Sequence, residues 1–257
     1  MTWLVLALAA CAASLLSFFS GFGLGTILTP VFAVFFPVEI AIALTGGVHL
    51  LNNLFKLGLT YRDIHLPVLW RFGLPSVIGA FAGAWLLLRM GEARALYAYD
   101  LGSYHCEITL LKLVVSVLMI VFTLVEFMPS FKHLEAGRSR LLAGGALSGF
   151  FGGLSGHQGA LRSVFLARAG LSKEAFIATT TVIACFVDLT RLPLYYARIQ
   201  NSITQDGWIV LGIASAAGFI GAFAGSKLLK KVTLELVQKI VAVMIVLLAV
   251  ALGGGLI

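Results

Sequence analysis

The sequence predicts an all-α polytopic membrane protein built from two inverted repeats of about five helical segments, each opening with a helical pair broken at glycine. Composition is the first reason: of 257 residues, 60% are hydrophobic and only 11% charged, and mean hydropathy is +1.02, far from the usage of water-soluble domains. At about 20 apolar residues per crossing, the chain has room for about eight to ten segments and for no large soluble domain. The second reason is an internal recurrence. Sliding the second half by 134 positions pairs Gly25 with Gly159, Ala41 with Ala175 and Thr45 with Thr179. A slide of 142 pairs the hexapeptide Ile78–Gly83 with Ile220–Gly225, six identical residues. Both hexapeptides carry G-x-x-x-G, which lets helix backbones approach closely and argues for equivalent packing contacts. The third reason is parity: five segments per repeat is an odd number, so the second repeat enters the bilayer from the opposite side.

In chain order, the first helix is expected over 2–19. Its apolar run resembles a signal peptide, but no Lys or Arg precedes it, so a retained helix is expected. Gly21, Gly23 and Gly25 end it, and a short helix follows to about Phe36, too short to span unaided. Pro37 stops that helix. A long one over 38–59 carries Thr45, His49, Asn52 and Lys56 at helical spacing, a polar stripe expected to face the interior. Segments over 66–88 and 108–127 complete the repeat, joined by a polar connection from Arg89 through Glu92, Arg94 and Asp100 to Glu107. The second repeat is expected as segments over 141–151, 159–168, 173–197, 207–229 and 234–252. Residues 1–130 thus form the first repeat, 131–140 a cytoplasmic linker and 141–257 the second repeat.

Lys and Arg divide unequally between the two faces. One side receives Arg62, Lys132, Arg138, Arg140, Arg168, Lys173, Lys227, Lys230 and Lys231, the other only Arg89, Arg94 and Arg198. The first side is expected to be cytoplasmic, with both termini outside. The net charge of +7 comes from these scattered loop positions rather than from a basic stripe, so nucleic acid is not an expected partner. Cys11, Cys106 and Cys185 show no metal-ligand spacing, and neither metal nor cofactor is expected.

Chemistry concentrates at the stretch Gly149–Ser163, which sets five glycines beside Ser155, His157, Gln158 and Arg162 in a hydrophobic region. A break there frees backbone that must find protein or a water-filled cavity. A helix restarting near Gly159 would aim its first amides and Arg162 at an anion. The plainer alternative is a packing loop with a snorkelling arginine. Thr181, Asp188, Arg191 and Tyr195 lie along one side of the next helix. Asp188 stands three residues from Arg191, so the pair reads either as a structural ion pair or as part of a ligand site. His49 and His157 are candidate proton carriers.

Inverted repeats with broken helical pairs are the arrangement of secondary transporters that bind near the bilayer midplane. The glycine-rich breaks, Gly21–Gly25 followed by Thr29–Pro30 and Gly153–Gly159, resemble the sulfite exporter TauE/SafE family over nearly the whole chain. That resemblance implies a multi-pass protein of the cytoplasmic (cell inner) membrane that moves sulfite, sulfoacetate, related organosulfonates or other small anions, often outward. The chain departs from the family at His157–Gln158, where glycines are common, and at Val164, which pairs with Pro30. The expectation is therefore a secondary transporter, not an enzyme, whose partners are a small anion and the lipid bilayer, with proton or sodium coupling left open. Substrate-binding candidates are Gly23, Gly25 and Thr26 at the first break; Thr45, His49 and Asn52; Ser155, Gly156, His157, Gln158, Gly159 and Arg162 at the second break; and Thr181, Asp188 and Arg191. A passive anion channel would use the same helix ends. Gly153-Leu154-Ser155-Gly156 also matches the G-x-S-G of intramembrane serine proteases, a weaker alternative because no group is evident to orient His157.

Overall fold

In the computed structural model, residues 2–20, 24–92, 94–102, 104–127, 138–166, 169–203, 205–228 and 235–257 are described. Among them run ten α-helices: α1 (Thr2–Ser20), α2 (Leu24–Ala33), α3 (Val38–Thr60), α4 (Leu66–Gly91), α5 (Leu110–Phe127), α6 (Arg138–Ser155), α7 (Gln158–Leu166), α8 (Lys173–Ile199), α9 (Gln205–Leu228) and α10 (Glu235–Gly253). The chain is an all-α membrane protein. Four helices are long and apolar enough to cross a membrane, over Val38–Asp63, Leu66–Gly91, Lys173–Ile199 and Gln205–Lys227, while shorter apolar stretches lie in α1, α2, α5 and α10.

Local chemistry sets the boundaries. Pro37 precedes α3, whose first turn holds Glu39, an acidic group near the positive end of the helix dipole. Ser172 caps α8 by accepting from the Ala175 amide at 3.1 Å. The polar connection after α4 is more ordered than its composition implied. Tyr97–Leu101 (β1) and Tyr104–Ile108 (β2) pair antiparallel, with Asp100 opposite His105 and Gly102 turning the chain at φ 65°. Tyr99 donates from its hydroxyl to Gly254 O at 2.7 Å and so ties the hairpin to the chain just beyond α10.

Helix faces follow membrane rather than aqueous logic, with large residues outside and small ones between helices. On α4, Leu74, Ile78, Phe81 and Trp85 are exposed, whereas Ser76, Gly79, Ala80 and Gly83 are buried. Gly145, Gly149 and Gly153 of α6 lie directly on the carbonyls of Phe72, Ser76 and Ala80, and Gly79 and Gly83 of α4 lie on those of Ala146 and Phe150. A single methyl at any of these positions would strike backbone, which has no rotamer to yield. The recurring hexapeptide does the same on α9, where Gly221 lies on the carbonyl of Cys11 in α1.

The pairings repeat under exchange of the two halves. α4 packs on α6 as α9 does on α1, α2 on α10 as α7 does on α5, and α4 on α8 as α9 does on α3, while α3 meets α8 and α5 meets α10 directly. The second break, at Gly156, lies against the first turn of α2 in the other half.

Two outcomes follow. Gly79→Val and Gly221→Val should each lower the unfolding temperature in detergent, by the equivalent of about 1–3 kcal/mol of overpacking, whereas Gly58→Val, with nothing within 4 Å of its added Cβ, should leave it unchanged. In the hairpin, the hydrogen bond between His105 and Asp100 (2.7 Å) and that carboxylate's charge raise the His105 pKa above its ordinary 6.5. A raised imidazole pKa makes the pairing complete below about pH 6.5 and lost as pH climbs through the raised value. Protection factors of the hairpin amides, which discount the intrinsic base catalysis of exchange, should therefore fall on the alkaline side, and Asp100→Asn should remove that fall.

Candidate functional site

The second break is built around Gly156. Its amide donates to Gly152 O at 3.0 Å, completing the last turn of α6, and its φ of 83° then turns the chain through a conformation that a side chain would strain. His157 follows, and α7 restarts at Gln158, whose carbonyl accepts from the Ser148 hydroxyl at 3.0 Å. A Cβ on Gly25, in the first turn of α2, would come 2.8 Å from Gly156 O, so the amino end of α2 abuts the second break. A Cβ on Gly156 itself would lie 3.3 Å from Arg191 Nη1 and 3.6 Å from Thr29 Oγ1.

Gly152 O, which already accepts from the Gly156 amide, and Gly153 O, near the end of α6, take further donors from α8. Arg191 Nη1 donates to Gly152 O at 2.9 Å, and the Tyr195 hydroxyl donates to Gly153 O. A cation thus sits at the negative end of a helix dipole, with its guanidinium 5.9 Å from the Tyr195 ring. Its charge is matched by Asp188, to whose Oδ1 Nε donates at 2.9 Å and beside which Nη2 lies at 2.8 Å. Both residues are wholly buried.

Asp188 gathers partners from three helices. Its Oδ2 lies 2.6 Å from His49 Nδ1 of α3, and its Oδ1 also accepts from Gln158 Nε2 of α7 at 3.3 Å. Gln158 Oε1 in turn accepts from Arg162 Nη1 at 3.1 Å, and the Asn53 amide nitrogen lies 3.1 and 3.2 Å from the two ring nitrogens of His49. One chain of polar contacts therefore runs Arg162, Gln158, Asp188, His49, Asn53, crossing from the second half of the chain into the first. It lies near mid-helix in both α3 and α8.

The remaining sequence candidates are placed as follows. Gly23 lies outside the described residues. Thr26 is buried in the first turn of α2, and Gly159 is part-buried in the first turn of α7. Thr45 is buried with no hydrogen-bond partner for its hydroxyl, while the Thr181 hydroxyl donates back to Ile177 O at 2.8 Å. Asn52 turns toward α1 and α9, accepting from the Ser14 hydroxyl at 2.8 Å close to Gly218. The Ser155 hydroxyl donates to Phe151 O at 3.1 Å. His157 Nδ1 lies 3.0 Å from Ser155 O and 3.1 Å from its Oγ, with the ring stacked on Phe122; its Nε2 has no hydrogen-bond partner. The serine and histidine of the G-x-S-G match are thus adjacent.

Two residues of the centre were under-read in the sequence. Lys56, the last member of the α3 stripe, is buried and donates to Ser17 Oγ at 2.8 Å. Asn53 stands one turn beyond His49, a spacing that would have marked it. A cavity of about 580 Å³ lies away from this centre, lined by Trp3, Phe36, Pro37, Ile40, Asp206 and Val210 at the beginnings of α1, α3 and α9.

Long apolar helices, glycine-mediated contacts between them and a charged centre buried at mid-helix define a multi-pass membrane protein with an internal polar site. The chain belongs to the sulfite exporter TauE/SafE family, whose model matches residues 6–252. A search of curated proteins and a search of solved structures each find no match. Membership makes the chain a membrane transporter of sulfur anions, with a small anion as substrate and lipid as surroundings.

The double role of Arg191 gives a thermodynamic test. Arg191→Gln alone strands Asp188 and uncaps α6, and should cost about 3–5 kcal/mol of stability. Adding Asp188→Asn removes the stranded charge, so the double variant should unfold at a higher temperature than Arg191→Gln in the same detergent.

Proposed function

We propose that the chain is a secondary transporter that exports a small sulfur oxyanion or organosulfonate, or a related carboxylate, across the cytoplasmic membrane by alternating access. The observation that carries the reading is the buried link Arg162–Gln158–Asp188, which joins the first turn of α7 to the contact between the halves. Arg162 is 2% exposed, and four residues precede it in a helix whose opening amides favour negative charge. Arg191 serves a different purpose, since its guanidinium is committed to Asp188 and to the end of α6. The anion site is therefore centred on the second break.

The exchangeable helix pairings and the matched glycines at Gly79 and Gly221 support two repeats, 1–130 and 141–257, related by an axis in the membrane plane, with 131–140 as a cytoplasmic linker. With basic loops inside, the cavity beside Pro37 and Asp206 lies at the outer face and serves as a vestibule. Alternating access is then a movement of one repeat against the other about the His49–Asp188 contact.

Liposomes loaded with sulfite, sulfoacetate, thiosulfate, sulfate or small carboxylates test this reading. Saturable counterflow should appear for at least one sulfur anion; many ions per opening would indicate a channel instead. Arg162→Lys should weaken apparent affinity, because the planar two-pronged geometry is lost while the charge stays, and Arg162→Ala should abolish transport in protein that still inserts. Normal transport by Arg162→Ala, with loss in correctly inserted Arg191→Ala, would move the site to α8.

A further inference from the structure

We propose that His49, held between Asp188 and Asn53, is a proton-binding site through which one proton crosses with each anion; this rests on the transporter reading above. The tautomer follows from the contacts. An ionised carboxylate can only accept, so at 2.6 Å from Asp188 Oδ2 the His49 Nδ1 carries the hydrogen. In the neutral ring the lone pair is then on Nε2, and the Asn53 carboxamide lies beside the ring, its nitrogen 3.2 Å from Nε2 and 3.1 Å from Nδ1. A carboxamide suits both states of that atom: its NH2 donates to a bare Nε2, and after rotation its oxygen accepts from Nε2–H. Hydronium gives its proton to Nε2 and leaves as water, no other bond being made or broken, and the step reverses on release. The His49 side chain is 12% exposed and Asp188 0%, so of the pair it is the imidazole that water reaches.

Both oxygens of Asp188 accept hydrogen bonds, Oδ2 from His49 and Oδ1 from Arg191 and Gln158. The charged groups around the imidazole are one carboxylate and two guanidiniums, which leaves its surroundings net positive. α8 brings Asp188 and Arg191, with Tyr195 and Cys185 behind them, α7 brings Arg162, whose field reaches both His49 and Lys56, and His157 at the break lies within the field of Arg191. α1 offers Ser14 and Ser17, α2 Thr29 and α9 Gly218, none of them ionisable, and the ionisable residues of α4, Arg71 and Arg89, are exposed. Protonating His49 adds a positive charge to the polar chain that ends at Arg162, so proton and anion each stabilise the other's binding, and by reciprocity each is carried with the other.

A unit charge within about 10 Å of the anion, at an effective dielectric of about 20, changes affinity on the order of tenfold. Wild-type proteoliposomes, with equal pH on both sides, should show an apparent KM for sulfoacetate about tenfold lower near pH 5.5 than near pH 8.5. Sulfoacetate entry should also acidify the lumen, read with a trapped pH dye. His49→Asn, which keeps a donor toward Asp188 but cannot take the proton, should have a KM independent of pH and leave the lumen unacidified. Asn53→Ala should keep the dependence with its midpoint displaced, and it decides the matter if His49→Asn does not insert: an undisplaced midpoint overturns the proposal. A wild-type KM that does not change with pH, or a His49→Asn profile like wild type, also overturns it and leaves the transporter reading standing. Transport of neither sulfoacetate nor sulfite by wild type at any pH would sink both.

Discussion

A guanidinium buried among membrane helices survives only when its charge and its donors are matched, and the rest of the centre is arranged around the matching of Arg191. Asp188, one turn earlier on α8, balances the charge, and Gly152 O at the end of α6 takes a donor that water would otherwise satisfy. The same contact answers the opposite need of α6, whose last carbonyls point into a region without solvent. The break and the ion pair are therefore a single construction. Gly156, turned to positive φ, supplies both the interruption and the space beside the guanidinium.

That construction requires helices to approach more closely than side chains normally allow. Lipid provides no hydrophobic drive to press helices together, so association depends on van der Waals contact and polar links between backbones. Glycines at four-residue intervals on α6 meet the carbonyls of α4, and the partner contact of Gly221 with α1 repeats the arrangement in the other half. Each half thus packs its helices against those of the other, α4 on α6 and α9 on α1. Large apolar residues such as Ile78, Phe81, Ile220 and Phe223 are turned outward, where the acyl chains are.

Asp188 is where the two halves communicate chemically. One oxygen serves its own half, through Arg191 and Gln158, and the other serves His49 of the first half. Gln158 is the residue that links Arg162 to Asp188, so the first residue of α7 joins the buried arginine to the contact between the halves.

The sequence by itself determined the solvent, the order of the helices and the second interruption, because hydropathy, glycine and proline act within a few residues of where they stand. Ten segments with nearly the boundaries seen among the described residues, the short α2 and α7 included, were legible on that basis. The pairing of Asp188 with Arg191 was legible too, being one helical turn. The hairpin between α4 and α5 was not, since its strands carry mixed polar and aromatic residues whose alternation shows only once Tyr99 has Gly254 to hold. Which way each polar residue points was likewise decided by tertiary structure. His49 and Asn52 share a stripe on α3, yet one meets Asp188 and the other Ser14, because α8 and α1 flank that stripe on different sides. Arg191 as the cap of α6 depends on residues 39 positions apart, and a buried donor's partner across that distance is chosen by packing, which no local pattern encodes.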